Sequence, residues 1–181
     1  MSTKEKRDRL FKGGRPIIRE LNLYQDGAVS KDVGVIWAAY KRKSLPNFPE
    51  GMNETQFLEF VSHISESKSI FIADDFNRQY SGMGPIGTIY IKSDTWNIEP
   101  HAVFFPWATT RNKLRSSVAF FQMVRYKKIG ACIVYCTIES RALFDKTSEY
   151  GVLQYRTNIP NAEPEGDRYI FSVRGTKNGR S

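Results

Sequence analysis

The chain has 181 residues, of which 40% are hydrophobic and 13% aromatic, enough to form one packed domain and unlike the composition of a disordered chain. Its net charge of +8 comes from residues 1–15, 100–138 and 174–181, so the basic character lies in both ends and one internal segment. The apolar runs are too short for a membrane helix, and two cysteines are too few for a disulfide-rich scaffold or a four-cysteine zinc site.

The polar ends of the chain predict three parts. We expect a basic N-terminal arm over 1–15 with a Gly13-Gly14 break, one domain over 16–174, and a basic C-terminal tail over 175–181. Basic ends of this kind bind polyanions such as nucleic acids weakly. The basic start has no apolar stretch behind it, so we expect no secretory signal peptide.

Two helices are predicted first along the domain. Apolar residues at helical spacing predict a helix over 31–43, and its basic end suits the helix dipole. A loop with two prolines follows, and Asn53 is placed to cap a second helix.

Three strands follow, over 69–76, 86–96 and 99–109, and their short connections predict antiparallel pairing. Pro106 cannot donate a ladder hydrogen bond, so the third strand should end or splay there. The glycine-rich run over 82–87 leads into a strand rather than a helix, which favours a hairpin turn over a dinucleotide site.

The last third of the chain alternates between helices and strands. Leu114, Val118, Phe121 and Val124 predict a helix over 109–130, capped by Thr109 or Thr110 and ended by Gly130. The predicted elements after it are an apolar strand over 130–138 that is buried on both faces, a short helix over 140–151, and strands over 152–159 and 167–175. The strand–helix–strand unit needs a crossover and is predicted to be parallel. The fold class is therefore α/β, a mixed central β-sheet flanked by helices on both faces.

This order of elements resembles the GNAT acetyltransferase superfamily over residues 17–174. The resemblance is carried by the strand HAVFFPWAT before the basic helix, the strand GACIVYCT, the short helix RALFDKTSEYG and a terminal hairpin. A looser resemblance, carried by W-A-T-x-R-N-K-L together with Phe144, is to small GNAT-like proteins encoded by tailed phages. Some of those are structural or accessory proteins of the virion head.

The GNAT resemblance implies an acetyl-CoA site where the third strand meets the long helix. In that family the splayed strand receives the pantetheine arm, and a loop of the form R/Q-x-x-G-x-G/A holds the pyrophosphate on backbone amides. The matching stretch keeps Arg111 and a small residue at Ser116, but it has Leu114 where the first glycine is expected. Candidate coenzyme-binding residues are Trp107, Ala108, Arg111, Lys113, Arg115 and Ser116.

The resemblance also places a general acid on the short helix, where many family enzymes have a tyrosine. Phe144 stands there and has no proton to give, and Tyr150, six residues later, points elsewhere on a regular helix. For a general base, Glu99 and His101 share a face of the third strand. Each also has a plainer interpretation, a solvated strand-edge charge for Glu99 and a half-buried strand histidine for His101.

The other reactive side chains do not indicate a functional site. Cys132 and Cys136 lie about 13 Å apart on one predicted strand, so they are interpreted as buried thiols that form no disulfide. With two histidines in the chain, we expect no metal site. Asp74 and Asp75 point to opposite faces of a strand and are interpreted as the entry to a turn.

These departures from the family pattern predict a phage-encoded GNAT-like protein with a degenerate acetyl-CoA site. It would act with other proteins of a larger assembly in virion assembly or DNA delivery, in the infected bacterial cytoplasm or in the virion. One alternative is an active acetyl-CoA-dependent N-acetyltransferase that modifies a protein or a small-molecule amine. Another is a basic adaptor that binds nucleic acid or a host protein.

Overall fold

The computed structural model describes residues 1–42, 45, 48–67, 69–74, 85–93, 97–105, 107–127, 133–164 and 166–173. Over 85–93 and 97–103 it describes the backbone alone. None of the helices in these ranges is long and apolar enough to cross a membrane.

The described elements follow the predicted order. The helices are α1 (Thr3–Leu10), α2 (Lys31–Lys41), α3 (Glu54–Ser67), α4 (Thr110–Lys127) and α5 (Ile138–Ser148). The strands are β1 (Ile17–Glu20), β2 (Tyr24–Gln25), β3 (Ala28–Val29), β4 (Ser69–Asp74), β5 (Pro85–Ser93), β6 (Asn97–Phe104), β7 (Ile133–Cys136), β8 (Leu153–Glu163) and β9 (Gly166–Val173). Four of them, α1 and β1 to β3, are additions to the sequence prediction.

The main sheet has seven strands in the order β1-β4-β5-β6-β7-β9-β8, and β2 and β3 form a separate hairpin. β4, β5 and β6 pair antiparallel, as predicted. β6 and β7, joined through α4, pair parallel, which confirms the predicted crossover. The α/β fold with a mixed sheet is therefore confirmed.

Helices cover both faces of this sheet, and neighbouring residues of β4 show it. Phe71 belongs to the core under α4 and α5, while Ile72 belongs to the core under α2 and α3. Successive side chains of a strand point to opposite faces. The sheet therefore separates two apolar cores, each closed by a pair of helices.

Helix starts follow the capping chemistry expected from the sequence. Asn53 Oδ1 accepts the amide of Gln56 at 2.9 Å, and Gln56 Oε1 accepts the amide of Asn53 at 3.0 Å. Ser30 Oγ accepts the amide of Val33 at the start of α2. These side chains satisfy backbone donors that a helix leaves without partners.

The N-terminal segment differs from its interpretation as an arm. Residues 3–10 form α1, which begins at a capping box between Ser2 and Glu5. Leu10 is 7% exposed and packs with Val118 of α4 in the core. The abundance of charge predicted a segment apart from the domain, whereas Leu10 and the partly buried Phe11 pack its end on the domain core.

Some sequence predictions need correction or fall outside the described residues. β7 is not buried on both faces, because Ile133 is 37% exposed while Val134 and Cys136 are buried. Part of the predicted hairpin turn belongs to a strand, since β5 begins at Pro85. β6 ends at Phe104, as the proline two residues on predicted. The other positions, namely Asp75, 82–84, Pro106, Gly130, Cys132 and 175–181, lie outside the described residues.

Candidate functional site

Strands β6 and β7 part soon after they meet. Their described register pairs are Asn97 with Ile133 and Ile98 with Val134. From Glu99 onward the described partners of β6 lie on β5, and Cys136 of β7 pairs with β9. A cleft between two parallel strands therefore opens toward the start of α4, and the splay predicted at Pro106 itself lies outside the described residues.

The start of α4 is closed by its own residues. Thr109 Oγ1 accepts the amide of Asn112 at 3.2 Å, and the carbonyl oxygen of Thr109 accepts the amide of Lys113 at 3.0 Å. The Asn112 side chain accepts the amide of Thr109 in return. Since residues from Thr110 onward are helical, the amides from Leu114 onward bond to carbonyls one turn back. The stretch 111–116 thus belongs to a regular helix rather than to an open loop.

Two of the candidate coenzyme residues contact aromatic rings. Trp107 packs against the core under α2 and α3, and Lys113 lies over the ring of Phe104. Trp107 packs on Phe105, with ring centroids 5.0 Å apart, and Arg42 lies over its ring at 5.7 Å. Lys113 Nζ lies 5.6 Å from the centre of the Phe104 ring. Ala108 forms a turn with Phe105 through a backbone hydrogen bond of 2.9 Å.

The remaining candidates on α4 lie in different environments. Arg111 is exposed at the first turn. Arg115 is fully buried, and its guanidinium donates to the carbonyl oxygens of Leu10 at 2.9 Å and Gly14 at 2.5 Å. Ser116 is also fully buried, and its hydroxyl has no hydrogen-bond partner. Lys113 and Arg115 are the two predicted basic residues beyond Arg111. Of these, Arg115 therefore binds the N-terminal segment.

The predicted bases stand on β6. Glu99 pairs with Lys92 of β5 and His101 with Tyr90, so both belong to the part of β6 that has left β7. The side chains of Glu99 and His101 lie outside the described part of the chain. Their roles as general base remain predictions.

Phe144 on α5 is a core residue. It is 6% exposed, and its ring centroid lies 5.5 Å from that of Phe121 and 5.4 Å from that of Phe171. Tyr150 lies beyond the end of α5, where its carbonyl oxygen accepts a hydrogen bond of 2.6 Å from Arg7. Phenylalanine at position 144 therefore extends the apolar core at the place where the resemblance puts a proton donor.

Solved structures with similar architecture are acetyltransferases. The chain is similar to a GNAT-family acetyltransferase from Bacillus anthracis, with 17% identity, a TM-score of 0.59, and coverage of 90% of this chain and 96% of that one. It is also similar to a probable GNAT acetyltransferase from Chromobacterium violaceum (13% identity, TM-score 0.57, coverage 89% and 88%). A variant of the spermidine N-acetyltransferase from Vibrio cholerae gives 10% identity, a TM-score of 0.55 and coverage of 87% and 94%.

The chain has the GNAT acetyltransferase fold. Comparison of its sequence with protein-family models finds no match, and comparison with curated proteins finds none either. Identities of this size establish the fold, whereas activity has to be argued from the site.

The residues at the GNAT coenzyme position fit acetyl-CoA poorly. A pyrophosphate cradle needs backbone amides that point away from the helix, and the amides of Asn112 and Lys113 are bonded to Thr109. Arg115, one of the two further cations on this stretch, has its guanidinium enclosed by the N-terminal segment. The parted strands keep the shape of the family cleft, but at the helix start the amides of Asn112 and Lys113 are bonded within the chain.

Sequence reasoning missed an ion-pair cluster that joins three elements. Arg19 of β1 donates to Asp32 of α2 at 2.5 and 2.7 Å and to Asp74 of β4 at 2.7 Å. Asp74 is 2% exposed, and its Oδ1 has no hydrogen-bond partner. Burial raises the pKa of Asp74, and the contact with Arg19 only partly opposes this. Arg19 is 13 residues from Asp32 and 55 residues from Asp74, so no local sequence pattern predicts these contacts.

A second missed feature fixes α5 on the terminal hairpin. The Arg141 guanidinium lies 4.2 Å from the ring centre of Tyr155 and 4.5 Å from that of Tyr169, and it pairs with Asp145 at 2.7 Å. Cys136 is buried beneath this region, and burial raises the pKa of its thiol to about 12. Cys136 is therefore an inert structural thiol, as the sequence predicted.

Proposed function

We propose that this chain is a GNAT-fold protein that has lost efficient acetyl transfer and acts by binding other proteins. The observation that carries this proposal is the closed start of α4. The side chains of Thr109 and Asn112 cap each other's amides, and the carbonyl oxygen of Thr109 accepts the amide of Lys113, so amides that would face a pyrophosphate are already bonded within the chain.

Two further contacts support the loss of transfer chemistry. Phe144 is packed between Phe121 and Phe171 and supplies no proton to a departing thiolate. Arg115 binds the N-terminal segment instead of facing the cleft. Both residues therefore contribute to the stability of the domain rather than to acetyl transfer. A fold can be kept without the reaction that other proteins of that fold catalyse.

Exposed apolar side chains support a role in protein contacts. Tyr24 is 55% exposed and Val29 48% exposed on the β2–β3 hairpin, and Ile159 is 45% exposed on the edge strand β8. An edge strand also offers backbone groups to a partner. These surfaces suit a member of a larger assembly.

The setting we propose is the virion of a tailed phage or the cytoplasm of its bacterial host, in head assembly or DNA delivery. The support is the sequence resemblance to small phage proteins and the basic ends, which suit weak contact with nucleic acid. Mass spectrometry of purified particles of the encoding phage tests the setting. We expect peptides of this chain in the particles, and their absence at a sensitivity that detects minor virion proteins would contradict it.

Acetyl transfer is tested with the full chain, acetyl-CoA and two acceptors, a polyamine and a lysine peptide. We expect release of free coenzyme A no faster than in a sample without protein, whereas median enzymes turn over about ten times per second. Turnover at an ordinary enzyme rate on either acceptor would overturn the proposal.

A working N-acetyltransferase with a divergent site is the second candidate. The parted strands β6 and β7 favour it, and so does the occurrence of the fold in acetyltransferases, one of which acts on spermidine. In that case Arg111 would contact the coenzyme phosphates, and Glu99 or His101 would accept the proton of an amine. An Arg111→Ala variant should then bind acetyl-CoA at least about tenfold more weakly, and unchanged affinity would exclude this role of Arg111.

A further inference from the structure

A solvent-accessible cavity of about 380 Å³ lies where α1 meets α4 and the end of α5. Sites for small molecules in proteins commonly have volumes of about 300–1,000 Å³. The lining residues are Met1, Lys6, Arg9, Leu10, Arg111, Leu114, Glu149 and Tyr150. The GNAT resemblance connected Arg111 and Leu114 with a phosphate loop, but it did not predict this cavity, because half of the lining comes from the N-terminal segment.

The lining divides into a charged part and an apolar part. Lys6, Arg9 and Arg111 are cations, and the single carboxylate, Glu149, lies 3.7 Å from Lys6. Leu10, Leu114 and Tyr150 supply apolar surface. An excess of cations beside an aromatic ring and aliphatic side chains complements an anion that carries an apolar group.

The wall formed by α1 is held in place by several contacts. Arg7 donates to the carbonyl oxygen of Tyr150 at 2.6 Å, and Arg115 donates to that of Leu10 at 2.9 Å. A Cβ atom built on Gly151 would lie 3.2 Å from the Thr3 side chain, so α1 closely approaches the turn after α5. The cavity is thus bounded by fixed elements, and a ligand in it would contact α1 and α4 together.

We propose that this cavity binds a phosphate monoester with an apolar or aromatic substituent. Lys6, Arg9 and Arg111 contact the phosphate, and Tyr150 with Leu114 contacts the substituent. The proposal does not rest on the proposed function, since it concerns a wall built from the N-terminal helix rather than the cleft between β6 and β7. Binding there also ties the N-terminal segment more firmly to the domain.

The test is a titration of the full chain with phenyl phosphate, followed by backbone amide NMR shifts at about 0.15 M salt, where interactions beyond about 8 Å are screened. We expect saturable shifts at Leu10, Leu114 and Tyr150. Arg9→Glu should raise the dissociation constant about tenfold or more. Lys4→Glu makes the same change of charge on the same helix outside the cavity lining and should change it less than about twofold.

Two results would overturn the proposal. One is a set of shifts that do not saturate or that respond equally to Arg9→Glu and Lys4→Glu, which would indicate general attraction of anions to a basic chain. The other is a set of shifts centred on residues outside the cavity while short DNA oligonucleotides bind more tightly than phenyl phosphate, which would assign the basic surface to nucleic acid.

Coenzyme A as a competitor separates this proposal from the proposed function. If it leaves the phenyl phosphate shifts unchanged, the cavity holds a different ligand and both proposals stand. If it displaces phenyl phosphate and its own binding depends on Arg9, the cavity proposal is supported, while the proposed function stands or falls on the acetyl-transfer assay. Amide hydrogen exchange at residues 3–10 that is slower with phenyl phosphate than without it would further support the coupling between the cavity and α1.

Discussion

Arg115 on α4 donates a hydrogen bond of 2.9 Å from its fully buried guanidinium to the carbonyl oxygen of Leu10. A second bond of 2.5 Å reaches Gly14. A residue that the GNAT pattern would place beside a phosphate therefore holds the N-terminal segment on the domain. The same contact explains why α1 is part of the packed structure.

Removal of the Arg115 guanidinium should destabilise the protein. Arg115→Met keeps most of the aliphatic stem but leaves the buried carbonyl group of Leu10 and the carbonyl group of Gly14 without this donor, so we expect the free energy of unfolding to fall by about 3 kcal/mol. Urea unfolding followed by circular dichroism measures it. Arg111→Met on the exposed side of α4 is the matched control, with an expected loss below about 1 kcal/mol. Equal losses in the two variants would mean that Arg115 does not hold the segment.

Docking of α1 is tested independently at Gly151. Its φ of +71° is unfavourable for other residues, and a Cβ there would meet Thr3 at 3.2 Å. Gly151→Ala should therefore cost about 2 kcal/mol of unfolding free energy. In a Thr3→Gly background the steric part of that cost is removed and only the backbone strain remains. Costs that add without coupling in a double-mutant cycle would contradict close packing of Thr3 on Gly151.

Restoration of the family tyrosine should not restore chemistry. In a Phe144→Tyr variant the hydroxyl group would enter a core formed with Phe121 and Phe171, and we expect a loss of about 1–3 kcal/mol of stability. Acetyl-CoA turnover should stay at the level of the original chain. A variant that keeps its stability and gains turnover would show that position 144 faces a usable site.

The buried Asp74 should make stability depend on pH in a defined direction. Its pKa is raised in the folded protein, chiefly by burial, so the folded state binds a proton more tightly than the unfolded state does. Stability from this group is therefore gained as the pH falls through the folded pKa and lost as the pH rises through it. Asp74→Asn removes this dependence.

Urea unfolding of both proteins between about pH 7 and about pH 4 measures the effect. The stability of the original chain relative to Asp74→Asn should increase toward the acidic end. A relative decrease would mean that the ion pair with Arg19 dominates over burial.

Local patterns were enough to predict most of the sheet and four of the helices. The apolar spacing of α4, the capping residue Asn53 and the proline after Phe104 all act within a few residues, so they can be recognised in one sequence. They also predicted the parallel pairing of β6 and β7, because parallel strands need a long crossover connection and a helix of that length supplies one.

The contacts that the sequence did not reveal join distant parts of the chain. Arg115 and Leu10 are 105 residues apart, and Arg19 and Asp74 are 55 apart. The charged composition of residues 1–15 concealed a short helix whose position depends on one buried leucine and on backbone carbonyls. A basic residue in a family motif can therefore have a structural partner that only the folded chain supplies.

Calorimetric titration of the full chain with acetyl-CoA tests the central claim most directly. A closed start of α4 predicts no saturable heat in the micromolar range at moderate salt, for the original chain and for Arg111→Ala alike. Saturable micromolar binding that resists salt and is lost in Arg111→Ala would show that the helix start still holds the coenzyme. The closed start of α4, on which the proposed loss of acetyl transfer rests, would then be contradicted, and a search for the acceptor amine would follow.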